Sequence, residues 1–515
     1  MKQLLPLYIL LAVLLTACTP SVPDQAQKAG HTPHLQPDYI GVTIPSNICP
    51  LNFMVAEAGD KAMARLTVAD EEYIVASSQK KIQFDEERWS QLLAKAGNDG
   101  IKVEVWSHDS KGWTAYDPFT IHVAPEPIDP WISYRLIPPS YVGYEELVIA
   151  QRNLTTFDEK VIYNNMLLTT ETQGQCINCH SYQNYHTSNM LFHIRKDFGG
   201  TMLVHDGQVS KLDLKTPETI SAGVYPAWHP TESLIAFSTN LTAQIFHNSD
   251  TAKIEVFDGA SDLILYDVDK AEVTSISSLQ DQMEIFPTWS PDGRWLYFCS
   301  ARAPFDASPV DSLGQARDLK GEAINHLEEI RYDLYRMPFD AQTRSFGPRQ
   351  LLYQASADSM SVTLPRLSPD GRWIAFARGN YGCFQVWHHE ADIWLLDTEL
   401  FTSGDTLSMA RPMELTNINS SYSESYPTFS SNGHWIMTAS RRDDNNFTRP
   451  YIAYFHADGT CDKPFEMPLE DPEMFTLGVK SYNRPEFMVE PVKVKPQEFA
   501  RVSKDGIAIQ AAFKK

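Results

Sequence analysis

Four segments of this chain align without gaps: Tyr225 to Ser238, Phe286 to Cys299, Leu364 to Ala377 and Tyr426 to Ala439. A chain built from such copies has to stack them, because one copy cannot bury its own apolar face. Each copy reads as a short strand, a tight turn and a second strand. The turns Pro291-Asp292-Gly293 and Pro369-Asp370-Gly371 combine a fixed φ, an Asx-type side-chain bond and a glycine free to take positive φ. A third strand follows each hairpin, beginning near Asp262, Asp333, Asp392 and Tyr451. Repeated antiparallel units of this kind fit radial blades better than a sandwich, since each packs only on its neighbours.

The four copies together resemble the TolB-type β-propeller repeat of bacterial periplasmic proteins. That resemblance spans Tyr225 to about Met467 and implies a mainly β chain with a propeller. Ring closure needs more units. One candidate is Thr201 to Leu214 with its Asp206-Gly207 turn, and another joins Ile132–Leu154 to strands near 475–489. The expectation is a ring of about six blades. Ahead of it, residues 38–128 alternate apolar and polar positions, as in Ile101 to Trp106 and Phe119 to Val123, and predict a small β-rich domain. One helix is expected there, with Asp85 as N-cap, Trp89, Leu92 and Leu93 on one face and Gly100 past its end.

The chemistry concentrates in Gln-Cys176-Ile-Asn-Cys179-His180. Two thiols three positions apart on one helical turn would reach the two vinyl groups of a porphyrin, and the adjacent histidine would face the iron. This spacing predicts one covalently attached haem c, held by Cys176 and Cys179 with His180 as axial ligand. The segment between residues 129 and 200 is expected to hold the first strands and a short haem-bearing insertion, with the propeller proper at 201–490 and a tail at 491–515. His193 is the first candidate for the sixth iron ligand, and Met190, Met202, His186 and His205 are the alternatives. A Cys176–Cys179 disulfide, structural zinc and a thioredoxin-like redox pair are the competing readings. Zinc lacks a second CxxC, and a redox pair lacks its β-α-β context.

Other features have simpler explanations. His388-His389-Glu390 with Asp392 suits a polar loop better than a metal site, and Arg441-Arg442-Asp443-Asp444 reads as a charged loop after a strand. His229 stands where the other three copies carry serine. No nucleophile elbow or phosphate loop is present in the sequence.

The first residues carry Lys2, an apolar run from Leu4 to Leu15 and Leu-Thr-Ala-Cys18. That order predicts an export signal over 1–17, followed by a flexible tether over 18–37. It resembles a bacterial lipoprotein signal, which implies lipid on Cys18, and the alternative is an ordinary cleaved signal with an incidental cysteine. The expected location is the cell envelope, facing the periplasm, at either the inner or the outer membrane. A net charge of −22 argues against nucleic-acid binding. Partners are expected to be envelope or redox proteins. The pairing of Cys49, Cys299, Cys383 and Cys461 is not readable from spacing. Propeller and CxxCH together resemble envelope lipoproteins of a cytochrome c-related kind, and this resemblance implies electron transfer. The rivals are a non-redox scaffold binding envelope proteins or glycans and a peroxidase-like haem enzyme.

Overall fold

The computed structural model describes residues 20–138, 146–168, 174–247, 252–277, 279, 281–401 and 411–514. The predicted signal and Cys18 lie outside them. The chain is mainly β and folds as a propeller. Six antiparallel sheets follow one another along the chain. Their inner strands are Ser481–Met488, Gln175–Gln183, Val224–Trp228, Gln282–Trp289, Ser361–Leu367 and Glu424–Phe429. Each inner strand touches the next, and the sixth returns to touch the first.

The first sheet is closed by distant parts of the chain. Trp131–Ile137 pairs on one edge with Val148–Asn153 and on the other with Ser481–Met488. The C-terminal strand thereby supplies the inner edge, leaving no free inner edge at the seam. Residues 491–515, expected as a tail, are built in from the helix Pro496–Asp505 onward. Ile509–Gln510 and Ala512–Phe513 then add parallel outer strands to the second and third sheets.

The segment carrying CxxCH corrects two expectations. Gln175–Gln183 is a strand, not a helical turn, and it is the inner strand of a five-stranded sheet, not an insertion. The local sequence explains this. Asn184 and Tyr185 both take positive φ, 46° and 67°, as a two-residue hairpin turn between twisted strands requires. The strand His186–Lys196 then runs back along it, with Ile177 opposite Ile194 and Asn178 opposite His193.

Before the ring, a seven-stranded and a three-stranded sheet flank the helix Glu86–Ala96. Asp85 caps that helix by accepting from the Arg88 N–H, and Trp89, Leu92 and Leu93 are buried. The expected loose tether is tied in from Gln27: Gln27–Lys28 pairs with Thr114 and Ala115, and Leu35–Gln36 with Val55 and Met54. This unit shares one apolar core with the first and sixth sheets, where Tyr39 and Ile44 join Ile132, Phe487, Trp435 and Ile452. It thus packs over the seam at which the ring closes. Among described helices none is long and apolar enough to cross a membrane.

Candidate functional site

One irregularity recurs in all six inner strands. Arg484, Cys179, Tyr225, Phe286, Leu364 and Tyr426 all take left-handed φ, between 49° and 58°. At each of them the pairing with the neighbouring strand skips that residue and the next. Such a bulge bends the strand and re-aims its side chains. In five sheets the second skipped residue is proline: Pro485, Pro226, Pro287, Pro365 and Pro427. In the second sheet it is His180. The Cys179-His180 pair is therefore the local version of a bulge that the whole ring shares. The sequence carries a trace of it: Cys-His-Ser-Tyr182 and Arg-Pro-Glu-Phe487 are worn copies of Tyr-Pro-Ala-Trp228.

These bulges line a cavity of about 220 Å³ at the ring axis. Cys176, Cys179 and His180 all line it. Both thiols are unpaired and half-buried. His180 is fully buried, and neither ring nitrogen makes a hydrogen bond of full geometry, although the main chain of Arg484 lies close enough to pull weakly toward the charged form. Burial pushes its pKa down to about 4, against the opposing pull of Glu486, so the ring is held neutral with a lone pair available. Glu486 sits beside it, bound by Arg366 and, at 3.1 Å, by Arg484. Burial raises the Glu486 carboxyl, but the two guanidinium groups outweigh it and hold it below its ordinary range.

This donor set suits a c-type haem in its chemistry, with two free thiols and one unsatisfied imidazole on a single cavity. The strand adds a condition. Residues three apart on an extended strand lie about 10 Å apart, against about 5–6 Å on a helical turn. Attachment of both thiols to one porphyrin requires the strand to shorten between Cys176 and Cys179. The same spacing exceeds disulfide reach and argues against the Cys176–Cys179 bridge.

The structure does not bring His193 to this cavity. Its Nδ1 lies 2.8 Å from Thr201 Oγ1, and its ring packs against Phe237 of the third sheet. Its Nε2 is buried without a partner. Met190, Met202, His186 and His205 do not line the cavity either, and His180 is its one histidine among the described residues. The His388-His389 loop is occupied otherwise: His388 Nε2 lies 2.5 Å from Glu255 Oε1, and His389 Nε2 accepts from Asn445. Arg441, read from sequence as part of a charged loop, is instead 4% exposed and lines the cavity. Its position at the end of the fourth copy's second strand, in the sixth sheet, was the available signal. A second group of donors, His31, His34 and Glu57, lies on the surface of the N-terminal unit with ligand atoms within 4.8 Å of one another. His34 Nδ1 is already 2.8 Å from Glu57 Oε1.

No family model matches the chain, and no curated protein does. Solved structures do. Prolyl oligopeptidase B from Galerina marginata is 8% identical with a TM-score of 0.34, over 71% of this chain and 42% of that one. The GH74 enzyme of Niastella koreensis is 9% identical with a TM-score of 0.34, over 65% of this chain and 46% of that one. The β-propeller domain of the Trilobed protease from Pyrococcus furiosus is 9% identical with a TM-score of 0.31, over 77% of this chain and 92% of that one. The chain thus spans less than half the length of the two enzymes. The fold assignment stands on the sheets described above.

Proposed function

We propose that this chain is a lipid-anchored, envelope-located, six-bladed propeller that carries one c-type haem and works as a redox protein. The observation that supports it most is the convergence of Cys176, Cys179 and the unsatisfied His180 on one axial cavity. A haem bound there would supply one-electron chemistry. The chain's own contribution is to tether through the two thiols, to offer His180 as a neutral donor, and to surround the site with the Arg366–Glu486–Arg484 group. The N-terminal unit braces the ring, and a redox partner would meet the outer surface of the blades away from it. Lipid on Cys18 would keep the protein at a membrane.

A haem-free propeller that binds envelope proteins or glycans is favoured by one observation. His180 stands where five sheets carry proline, on a strand too extended for a helical CxxCH. The absence of any other histidine or methionine along the cavity among the described residues favours an open iron position, and with it small-ligand or peroxidase-like chemistry, over two-sided ligation.

The experiment is a pyridine haemochrome spectrum of protein made with a haem-attachment system, before and after acid-acetone extraction. Haem that stays with the protein, and is lost in Cys176→Ala, Cys179→Ala and His180→Ala chains, supports the proposal. A colourless protein sinks it. A spectral shift with carbon monoxide or cyanide then identifies an open position, and His193→Ala, which should leave the spectrum unchanged, checks that His193 is not a ligand.

A further inference from the structure

The axial cavity has the opposite sign of charge from the rest of the molecule. Five arginines line it, Arg135, Arg195, Arg366, Arg441 and Arg484, against one carboxylate, Glu486. The chain as a whole carries a net charge of −22. Gathering like charges around a partly enclosed space is unfavourable unless an anion joins them, most of all where a guanidinium is stripped of solvent, as that of Arg441 is. Arg366 and Arg484 already share Glu486. Arg135 is engaged by a main-chain group, donating to the Ile177 carbonyl at 3.1 Å.

Arg441 carries the argument. It is 4% exposed and bonds only to carbonyl oxygens, those of Val386 at 2.6 Å and of Asn446. Its guanidinium carbon lies over the ring of Trp387, 3.4 Å from the ring centroid. Among the described residues no carboxylate is in ion-pair contact with it. A guanidinium fixed by a ring face and by carbonyls, and aimed into a cavity, is arranged to receive a planar anion. Tyr225, Phe286 and Trp387 supply apolar lining on the same cavity, as sites for organic ligands usually require.

We propose that the axial cavity is a binding site for a small organic anion bearing two or more carboxylate or phosphate groups, with Arg441 holding one of them. This does not rest on the haem reading, and a porphyrin attached at Cys176 and Cys179 would compete with the anion for the same cavity. The test therefore uses the full-length chain with Cys176→Ser and Cys179→Ser, which cannot attach a porphyrin, titrated calorimetrically with citrate and separately with inorganic pyrophosphate. One-to-one binding of either probe is expected, weakened about tenfold by Arg441→Gln and by raising salt well above physiological strength. Tighter citrate identifies a carboxylate ligand and tighter pyrophosphate a phosphate one. Arg195→Gln, an exposed position, gives the same reading with weaker loss if Arg441→Gln does not fold. No binding of either probe at millimolar concentration, or binding unchanged in the arginine variant, overturns the proposal.

Discussion

The Nε2–H of His229, on the turn of the third sheet, donates to the carbonyl oxygen of Gly293, on the turn of the fourth, at 3.1 Å. The other ring nitrogen accepts from the main-chain N–H groups of Thr231 and Glu232, at 3.3 Å and 3.0 Å. The equivalent residues Ser290 and Ser368 cap only their own turns, each accepting from a tryptophan N–H at 2.9 Å. His229 therefore caps its turn and bolts it to the next sheet.

That double role needs a neutral ring, because protonating Nδ1 removes the acceptor of two N–H groups. Burial lowers the His229 pKa below its ordinary value. A base depressed in the folded state contributes stability that is present above its unfolded pKa and lost as pH falls below it. The expected outcome is a loss on the order of 1 kcal/mol as pH falls from about 6.5, read by urea denaturation. His229→Ser should lower stability at neutral pH and flatten this acid limb; an unchanged limb would clear His229 of any part in it.

Gly293 and Gly371 occupy equivalent turns with φ of 70° and 75°, but their surroundings differ. A Cβ on Gly293 would meet His229 Cε1 and Nε2 at 2.4 Å, whereas on Gly371 its nearest neighbour would be Pro291 Cδ at 3.5 Å. Gly371→Ala should cost only the left-handed backbone term, about 1–2 kcal/mol. Gly293→Ala should cost at least about 1 kcal/mol more, and His229→Ser should remove that difference in a double-mutant cycle. Equal costs at the two glycines would show that the ring yields freely.

Much of the ring was legible because its turns are spelled out in Pro, Asp and Gly, and each hairpin closes locally. The first and second sheets were harder. Arg484-Pro485 sits in a strand whose partner, Trp131–Ile137, lies far back in the sequence. The expected joining of Ile132–Leu154 to strands near 475–489 is borne out, but it followed from the need to close the ring and not from a local turn. Cys179-His180 was misread for a different reason. CxxCH spacing suggests a helix, yet the alternation of Ile177 with polar neighbours and the Asn184-Tyr185 turn commit it to a strand. The site residues Cys176, Cys179 and His180 were identifiable by type. Arg441 was marked only by its place just after the repeat strand Trp435–Ser440; the Trp387 face that buries it belongs to a loop of another sheet.

Glu255 and His388 join the third sheet to the fifth across the fourth. Glu255 belongs to the far end of a long hairpin, Leu234–Phe246 with Ile254–Asp267, and both side chains are buried where His388 Nε2 meets Glu255 Oε1 at 2.5 Å. Leaving one buried partner unsatisfied costs about 1–3 kcal/mol. His388→Ala should therefore raise amide exchange in residues 242–247 and 252–258 by roughly tenfold or more, while the Pro291 and Pro369 turns keep their protection. Uniform protection across the hairpin would show that apolar packing alone holds it down.

The seam between first and sixth sheets makes the C-terminal strand indispensable in a way the final residues are not. Ser481–Met488 pairs with seven residues' length of Trp131–Ile137 and buries Phe487 and Met488. A chain ending after residue 480 would expose an unpaired inner edge and the apolar core beneath the N-terminal unit. Exposed edges of that kind template association, so this chain should aggregate and show no cooperative unfolding by circular dichroism. A chain ending after Gly506 loses only two short parallel strands at the outer edges. It should remain monodisperse by size-exclusion chromatography and lose about 1–3 kcal/mol. Cooperative folding of the shorter chain would mean that five closed sheets and an open first sheet suffice, and that the seam is dispensable.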